Sequence, residues 1–210
     1  MKILGIDEAG RGCVIGPMVF CGVLCNIDDN RQLLAMGVRD SKELTRGKRE
    51  KLAGQLIKMV SGWTVLEIQP HEIDSENINK LGIKKIIELI SKHKPDRVYL
   101  DVPVSGRGIK RYNSNIKNYF NSTKLEVIGE NNADKNYPVV SAASIIAKVH
   151  RDNVIEKIKE SYEDFGSGYP SDWKTTDFLR KYYDSNGRFP EEIVRMKWKT
   201  LDGIRQKELF

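Results

Sequence analysis

The stretch Lys2-Ile3-Leu4-Gly5-Ile6-Asp7-Glu8-Ala9-Gly10-Arg11-Gly12 runs from apolar residues into two adjacent acids and then an arginine between glycines. Residues 2–7 read as a buried strand. A strand of this kind delivers the carboxylates of Asp7 and Glu8 to one rim of a sheet. Crowded carboxylates repel, and their pKa values rise unless a cation neutralises them. The stretch therefore points to metal-dependent phosphate chemistry. Gly10 and Gly12 also suit a tight turn between strands, and the two readings are compatible.

Working outward, residues 14–25 read as a second strand, antiparallel to the first, with full pairing only after Pro17. Thr45 is placed to cap a helix running to about Val60, with Leu52, Leu56 and Val60 as its apolar stripe. Trp63 to Ile68 alternates as a third strand, and residues 78–92 carry helical spacing. Arg97 to Asp101 is a short fourth strand. A helix at about 113–121 and a fifth strand at 124–129 follow. A long helix is expected from Pro138 to Ser161, with proline at a favourable first-turn position. The remaining residues read as mostly helical, joined by Gly166-Ser167-Gly168-Tyr169-Pro170. Strands followed by strand–helix alternation predict an α/β fold: a mixed five-stranded sheet flanked by helices. The expected division is a larger α/β domain at 1–160 and a small helical part at 161–210.

Carboxylates recur at element ends. Asp101 closes the fourth strand, and Asp134 precedes the long helix by about one turn. If the first and fourth strands are central neighbours, Asp7, Glu8 and Asp101 meet at one edge and Asp134 closes the cluster. Each acid alone also suits a turn or helix cap. Four hard oxygen donors without a His–Cys set favour Mg²⁺ or Mn²⁺ over Zn²⁺. Two such ions on one phosphate activate water and stabilise the leaving oxygen.

The chain of 210 residues is long enough for a full core, and its net charge of +6 suits a polyanionic partner. Cys13, Cys21 and Cys25 form no C-x-x-C pair and read as buried, inert thiols in a reducing compartment. No signal-peptide pattern and no membrane-length apolar run are found, so a cytoplasmic location and no membrane partner are expected. His71, His93 and His150 have no ligand spacing, and Asp152 reads as part of a helix-surface charge pattern.

The motifs Asp7-Glu8-Ala9-Gly10-Arg11-Gly12, Asp40-Ser41-Lys42, Leu100-Asp101, Ala133-Asp134 leading into Val140-Ser141-Ala142-Ala143-Ser144-Ile145-Ile146-Ala147-Lys148-Val149, and Gly168-Tyr169-Pro170, in this order, resemble ribonuclease HII of the archaeal single-chain type. The resemblance covers nearly the whole chain. It implies a ribonuclease H-like fold, a monomer, and metal-dependent endonucleolytic hydrolysis of RNA in RNA–DNA hybrids. It also implies cutting 5′ to a single ribonucleotide in duplex DNA, leaving a 3′-hydroxyl and a 5′-phosphate. It implies that Asp7, Glu8, Asp101 and Asp134 bind the catalytic ions, and that Gly10, Arg11 and Gly12 grip the ribonucleotide through backbone groups. Tyr169 would stack on the sugar and help read the 2′-hydroxyl; without the resemblance it reads as a packing residue in a loop. Lys42, Arg46 and Lys148 are candidates for phosphate contacts. The tail Gln206-Lys207-Glu208-Leu209-Phe210 faintly resembles a sliding-clamp-binding segment. Two rival readings are a DNA-junction nuclease on the same fold, which needs no 2′-hydroxyl reader, and a non-catalytic hybrid-binding module, which needs no set of four acids.

Overall fold

The first strand, β1 (Lys2–Ala9), is buried on both faces, as a central strand with helices above and below must be. In the computed structural model, residues 1–38, 44–121 and 124–205 are described. The Asp40-Ser41-Lys42 motif and the tail 206–210 lie outside the described residues. β2 (Met18–Asn26) begins one residue after Pro17, as the missing proline N–H requires. The Ile27 N–H donates to the Met1 carbonyl at 3.0 Å, which sets the end of β2 beside the start of β1. β3 is Gly62–Ile68, β4 is Arg97–Asp101 and β5 is Glu126–Glu130. The sheet order is β3-β2-β1-β4-β5, and β1, β4 and β5 are parallel. The mixed five-stranded sheet is therefore as expected, with β1 and β4 as neighbours.

The helices are α1 (Asn30–Ala35), α2 (Arg46–Met59), α3 (Pro70–Ser75), α4 (Ile78–His93), α5 (Arg107–Tyr119), α6 (Ala133–Asn136), α7 (Pro138–Lys159), α8 (Trp173–Asn186) and α9 (Lys199–Arg205). Some differ from expectation. α5 starts at Arg107, well before residue 113; its apolar positions Ile109, Tyr112 and Ile116 lie at helical spacing among basic and polar residues. Asp134 lies in α6, a short helix of its own and not a connection. α3 begins at Pro70 after Gln69, whose N–H is held by the Glu72 carboxylate at 2.7 Å, and has too few apolar residues to show periodicity. Thr45 occupies the N-cap of α2, but its side chain makes no cap hydrogen bond.

Two compact units interleave along the chain. The first comprises Met1–Ala9, Phe20–Leu66 and Gly82–Val149. In it Ile3, Leu4, Phe20, Cys21, Val98 and Leu100 are inaccessible to solvent. The second comprises Gly10–Val19, Glu67–Leu81 and the chain from His150 onward. Its core is Val14, Ile15, Ile155, Phe165, Phe178, Leu179, Phe189, Ile193, Val194, Leu201 and Ile204. The boundary expected at residue 160 is a boundary in sequence, whereas these units are interleaved. No helix among the described residues is long and apolar enough to cross a membrane.

Candidate active site

Parallel pairing places Ile6 opposite Leu100, so Asp7 and Asp101 are each one residue beyond that pair at the same end of the sheet. Asp101 in turn pairs in register with Glu130 on β5. Two links bring the start of α6 to this edge. The Ala133 N–H donates to Asp101 Oδ1 at 3.3 Å, and the next residue is Asp134, which is buried. The Ser141 hydroxyl on α7 donates to the Asp134 carbonyl. Asn131 laces the two loops together, its Nδ2 donating to the carbonyls of Val102 at 2.6 Å and Val104 at 2.7 Å. An open cleft of about 430 Å³ lies here, lined by Asp101, Ser105, Asn131 and Asn132 among others.

The electrostatics of this edge are unfavourable for charge. Burial, followed by repulsion from Glu8 and Asp101, pushes the Asp7 carboxyl up to about 8. The Ser144 hydroxyl and the Glu8 N–H, which donates to Asp7 Oδ1 at 2.8 Å, oppose the shift without cancelling it. A buried acid penalised for its charge by two neighbouring acids is a place where a divalent cation is stabilising. Carboxylate oxygens are the donors that Mg²⁺ and Mn²⁺ take, so the residues fit such an ion. Among the described residues no three His, Cys, Asp or Glu side chains are already gathered into a formed metal cage.

The glycine-flanked loop belongs to the second unit, as does Tyr169. Gly10 has φ +80°, and a Cβ there would lie 2.3 Å from Arg151 Nε. The loop is held from one side by the segment after Ile193. Arg195 donates to the carbonyls of Gly10 at 2.7 Å, Arg11 at 2.9 Å and Gly16 at 3.1 Å. Trp198 Nε1 donates to the Gly12 carbonyl at 3.4 Å. The Arg11 side chain donates to Asn79 at 3.3 Å. Arg151, also buried, donates to the carbonyls of Ile15 and Ser167 and lies 5.2 Å from the centre of the Tyr169 ring. Tyr169 remains 38% exposed, which leaves one part of the ring available to a ligand. Burial is the main cause that pushes its hydroxyl up to about 12, with the neighbouring Cys13 adding to it, so it stays a neutral phenol at any ordinary pH. Its loop is fixed in place: Asp172 caps α8 and accepts from the Ser167 N–H and hydroxyl at 2.8 Å.

The remaining candidates are scattered. Arg46 pairs with Glu50 on the exposed face of α2 at 2.9 Å. Lys148 is half-buried on α7. Lys42 is outside the described residues. The three cysteines are free and buried, and burial pushes all three thiols up, Cys25 to about 12. His150 pairs with Glu67 at 2.6 Å and His93 with Thr64 at 3.0 Å.

Arg195 and Arg151 escaped the sequence reading, and so did Glu130 and Asn131. A signal for the two arginines exists. Arg195 interrupts the apolar run Ile193-Val194-Arg195-Met196, and Arg151 falls on the stripe Ala147, Arg151, Ile155 of a helix. A cation at an apolar position is worth questioning, because a buried charge needs a specific purpose. Glu130 is recognisable only from the strand register.

Comparison with known proteins places these features in a family. Residues 4–201 match the family model described as Ribonuclease HII. The chain is 42% identical over 211 residues to the Ribonuclease HII of Thermococcus onnurineus, covering 99% of this chain and 91% of that one. It superposes on the crystal structure of the ribonuclease H2 from Pyrococcus horikoshii OT3 with a TM-score of 0.90, at 43% identity, covering 99% and 98% of the two chains. It also matches the ribonuclease in the structure of the PCNA:RNase HII complex from Archaeoglobus fulgidus, with a TM-score of 0.86, 42% identity and coverage of 95% and 96%.

Proposed function

This chain belongs to the ribonuclease HII family and is thus a ribonuclease H endonuclease acting on the RNA of RNA–DNA hybrids, and from that premise we propose that it also nicks duplex DNA 5′ to a single embedded ribonucleotide. The observation that supports the reading is geometric: β1 and β4 end side by side with Asp7 and Asp101 one residue beyond the Ile6–Leu100 pair, and the Ala133 N–H bond to Asp101 brings the buried Asp134 to the same edge. Asp7, Glu8, Asp101 and Asp134 would hold two divalent ions, Mg²⁺ or Mn²⁺. Bound there, these ions would supply an activated water and neutralise charge on the leaving 3′-oxygen.

The chain's own groups do the rest. Asp101, tied to the Ala133 N–H, fixes the spacing between the β4 edge and the helix that carries Asp134. The backbone of Gly10, Arg11 and Gly12 would grip the ribonucleotide and its phosphate. Tyr169 would stack on the sugar and read the 2′-hydroxyl, the only group that marks one ribonucleotide in a DNA duplex. Arg46, Lys42 and Lys148 would contact flanking phosphates, which makes binding fall as salt rises. In the hydrolysis a water oxygen bonds to the phosphorus and the bond to the upstream 3′-oxygen breaks. The products are a 3′-hydroxyl and a 5′-phosphate.

The test is a labelled duplex with one ribonucleotide beside an all-DNA control, incubated with Mg²⁺, Mn²⁺ or chelator. A metal-dependent nick 5′ to the ribonucleotide, absent from the control and from Asp134→Asn, is the expected result. Cutting of long hybrids without that nick would retain the ribonuclease and remove the assigned roles of Tyr169 and the Gly-Arg-Gly loop.

The tail Gln206–Phe210 is proposed to bind a sliding clamp, a reading favoured by the similarity to a ribonuclease solved in complex with PCNA. Deleting Leu209 and Phe210 should weaken clamp binding at least tenfold in a calorimetric titration while nicking of free duplex is retained. Unchanged affinity would dispose of this role.

A further inference from the structure

We infer that Arg195 is the positioning residue of the Gly10–Gly12 loop, holding its carbonyls on the buried side so that the N–H groups of Arg11 and Gly12 face the substrate phosphate. The inference rests on the reading that this loop grips the substrate. Arg195 is fully buried, and its guanidinium makes no ion pair with a carboxylate among the described residues. A buried guanidinium without a carboxylate is expensive, and mere packing would be served by an apolar side chain. Its donors go instead to three carbonyls at 2.7, 2.9 and 3.1 Å, those of Gly10, Arg11 and Gly16.

The planarity of the peptide unit gives these bonds their consequence. In a trans peptide the carbonyl and the following N–H point in opposite directions. The Gly10 carbonyl shares its peptide with the Arg11 N–H, and the Arg11 carbonyl shares its peptide with the Gly12 N–H. Capturing both carbonyls from the buried side turns two successive N–H groups away from the guanidinium. Successive outward N–H groups are a recurrent anion cradle. Trp198 extends the same hold to the Gly12 carbonyl, and its ring lies 5.0 Å from the Arg195 guanidinium carbon. The segment is itself fixed, because Asp74 accepts the N–H groups of Met196 at 2.7 Å and Lys197 at 3.0 Å. The outer side of the loop is open: a Cβ built on Gly12 meets only the Tyr169 ring, at 4.0 Å.

Steady-state nicking of the single-ribonucleotide duplex by the full chain tests this. Arg195→Lys keeps the charge but loses the three-way fork. It should raise KM about tenfold while kcat stays within roughly threefold, the pattern of lost substrate grip. Trp198→Phe keeps the ring and removes one donor, and should raise KM roughly threefold. Phe189→Leu, a core substitution in the same unit, serves as the control for destabilisation and should lower the melting temperature without moving KM. If Arg195→Lys behaves like Phe189→Leu, Arg195 is only structural and the inference fails. If Arg195→Lys does not fold, Trp198→Phe decides, and an unchanged KM overturns the inference. Gly12→Val tests the underlying reading separately, since its side chain enters open space over the loop. An unchanged KM in Gly12→Val would mean that the loop does not bind substrate at all, whatever Arg195 does.

Discussion

Asp7→Asn is expected to abolish nicking and, in chelator above neutral pH, to make the chain more stable than the parent. The catalytic loss follows from removing one oxygen donor and one charge from the ion-holding edge. Metal-assisted charge stabilisation is worth several kcal/mol, so a loss of about 10³-fold or more in kcat is expected. The stability gain follows from the buried carboxyl being pushed up to about 8 from an ordinary value of 3.8. Between those values the folded chain holds a proton that the unfolded chain has released. Stability contributed by protonated Asp7 is therefore complete below the ordinary value and is lost as pH rises through the folded one. Asparagine mimics the neutral form and does not titrate, so the part of the pH dependence that Asp7 contributes across that window should vanish. The difference at pH 8 should reach a few kcal/mol, or at least about 5 °C in melting temperature for a chain of this size. Adding Mg²⁺ or Mn²⁺ should raise the melting temperature of the parent more than that of the variant. Equal melting temperatures in chelator at pH 8 would show that Asp7 carries no charge penalty.

Gly5→Ala should be the most damaging single-methyl change in the chain. A Cβ at Gly5 would sit 2.3 Å from the Val139 carbonyl oxygen, 2.4 Å from its carbon and 2.7 Å from the Val140 nitrogen. All three are backbone atoms in the first turn of α7, so no side chain can yield. Strand β1 and helix α7 touch main chain to main chain at this point, two residues before Asp7. Forced separation should cost about 4 kcal/mol or more, which is roughly 8–16 °C in melting temperature. Nicking should fall with it, because the same strand carries Asp7 and Glu8. Gly54→Ala is the counterpart: it lies inside α2 with no neighbouring atom within 4 Å. It should stabilise the chain by up to about 1 kcal/mol. Similar melting temperatures for Gly5→Ala and the parent would contradict the close strand–helix contact.

Much of the architecture was readable because its signals are local. β1 declares itself by a continuous apolar run, and β2 starts after Pro17 because proline has no N–H to pair. The placement of Asp7, Glu8 and Asp101 at strand ends follows from counting residues along those runs. Where local signals are weak the reading slipped. In α5 the apolar positions Ile109, Tyr112 and Ile116 are sparse and preceded by Gly106 and Gly108, and α3 and α6 are each too short to show a full apolar stripe.

What the amino-acid sequence determined by itself is which acids stand at element ends, which glycines flank Arg11, and that strands and helices alternate around one sheet. Each of these depends only on neighbours along the chain. The tertiary structure alone decided that β1 lies beside β4, that Glu130 stands in register with Asp101, and that Asn131 ties the two acid-bearing loops. It alone raised the proton affinity of Asp7, and it alone turned Arg195 and Arg151 from ordinary surface cations by composition into buried anchors of the Gly10–Gly12 loop and the segment around Tyr169. The physical reason is common to all of these. Desolvation and pairing depend on which distant segments are brought together, and no residue carries that information in its own type or spacing.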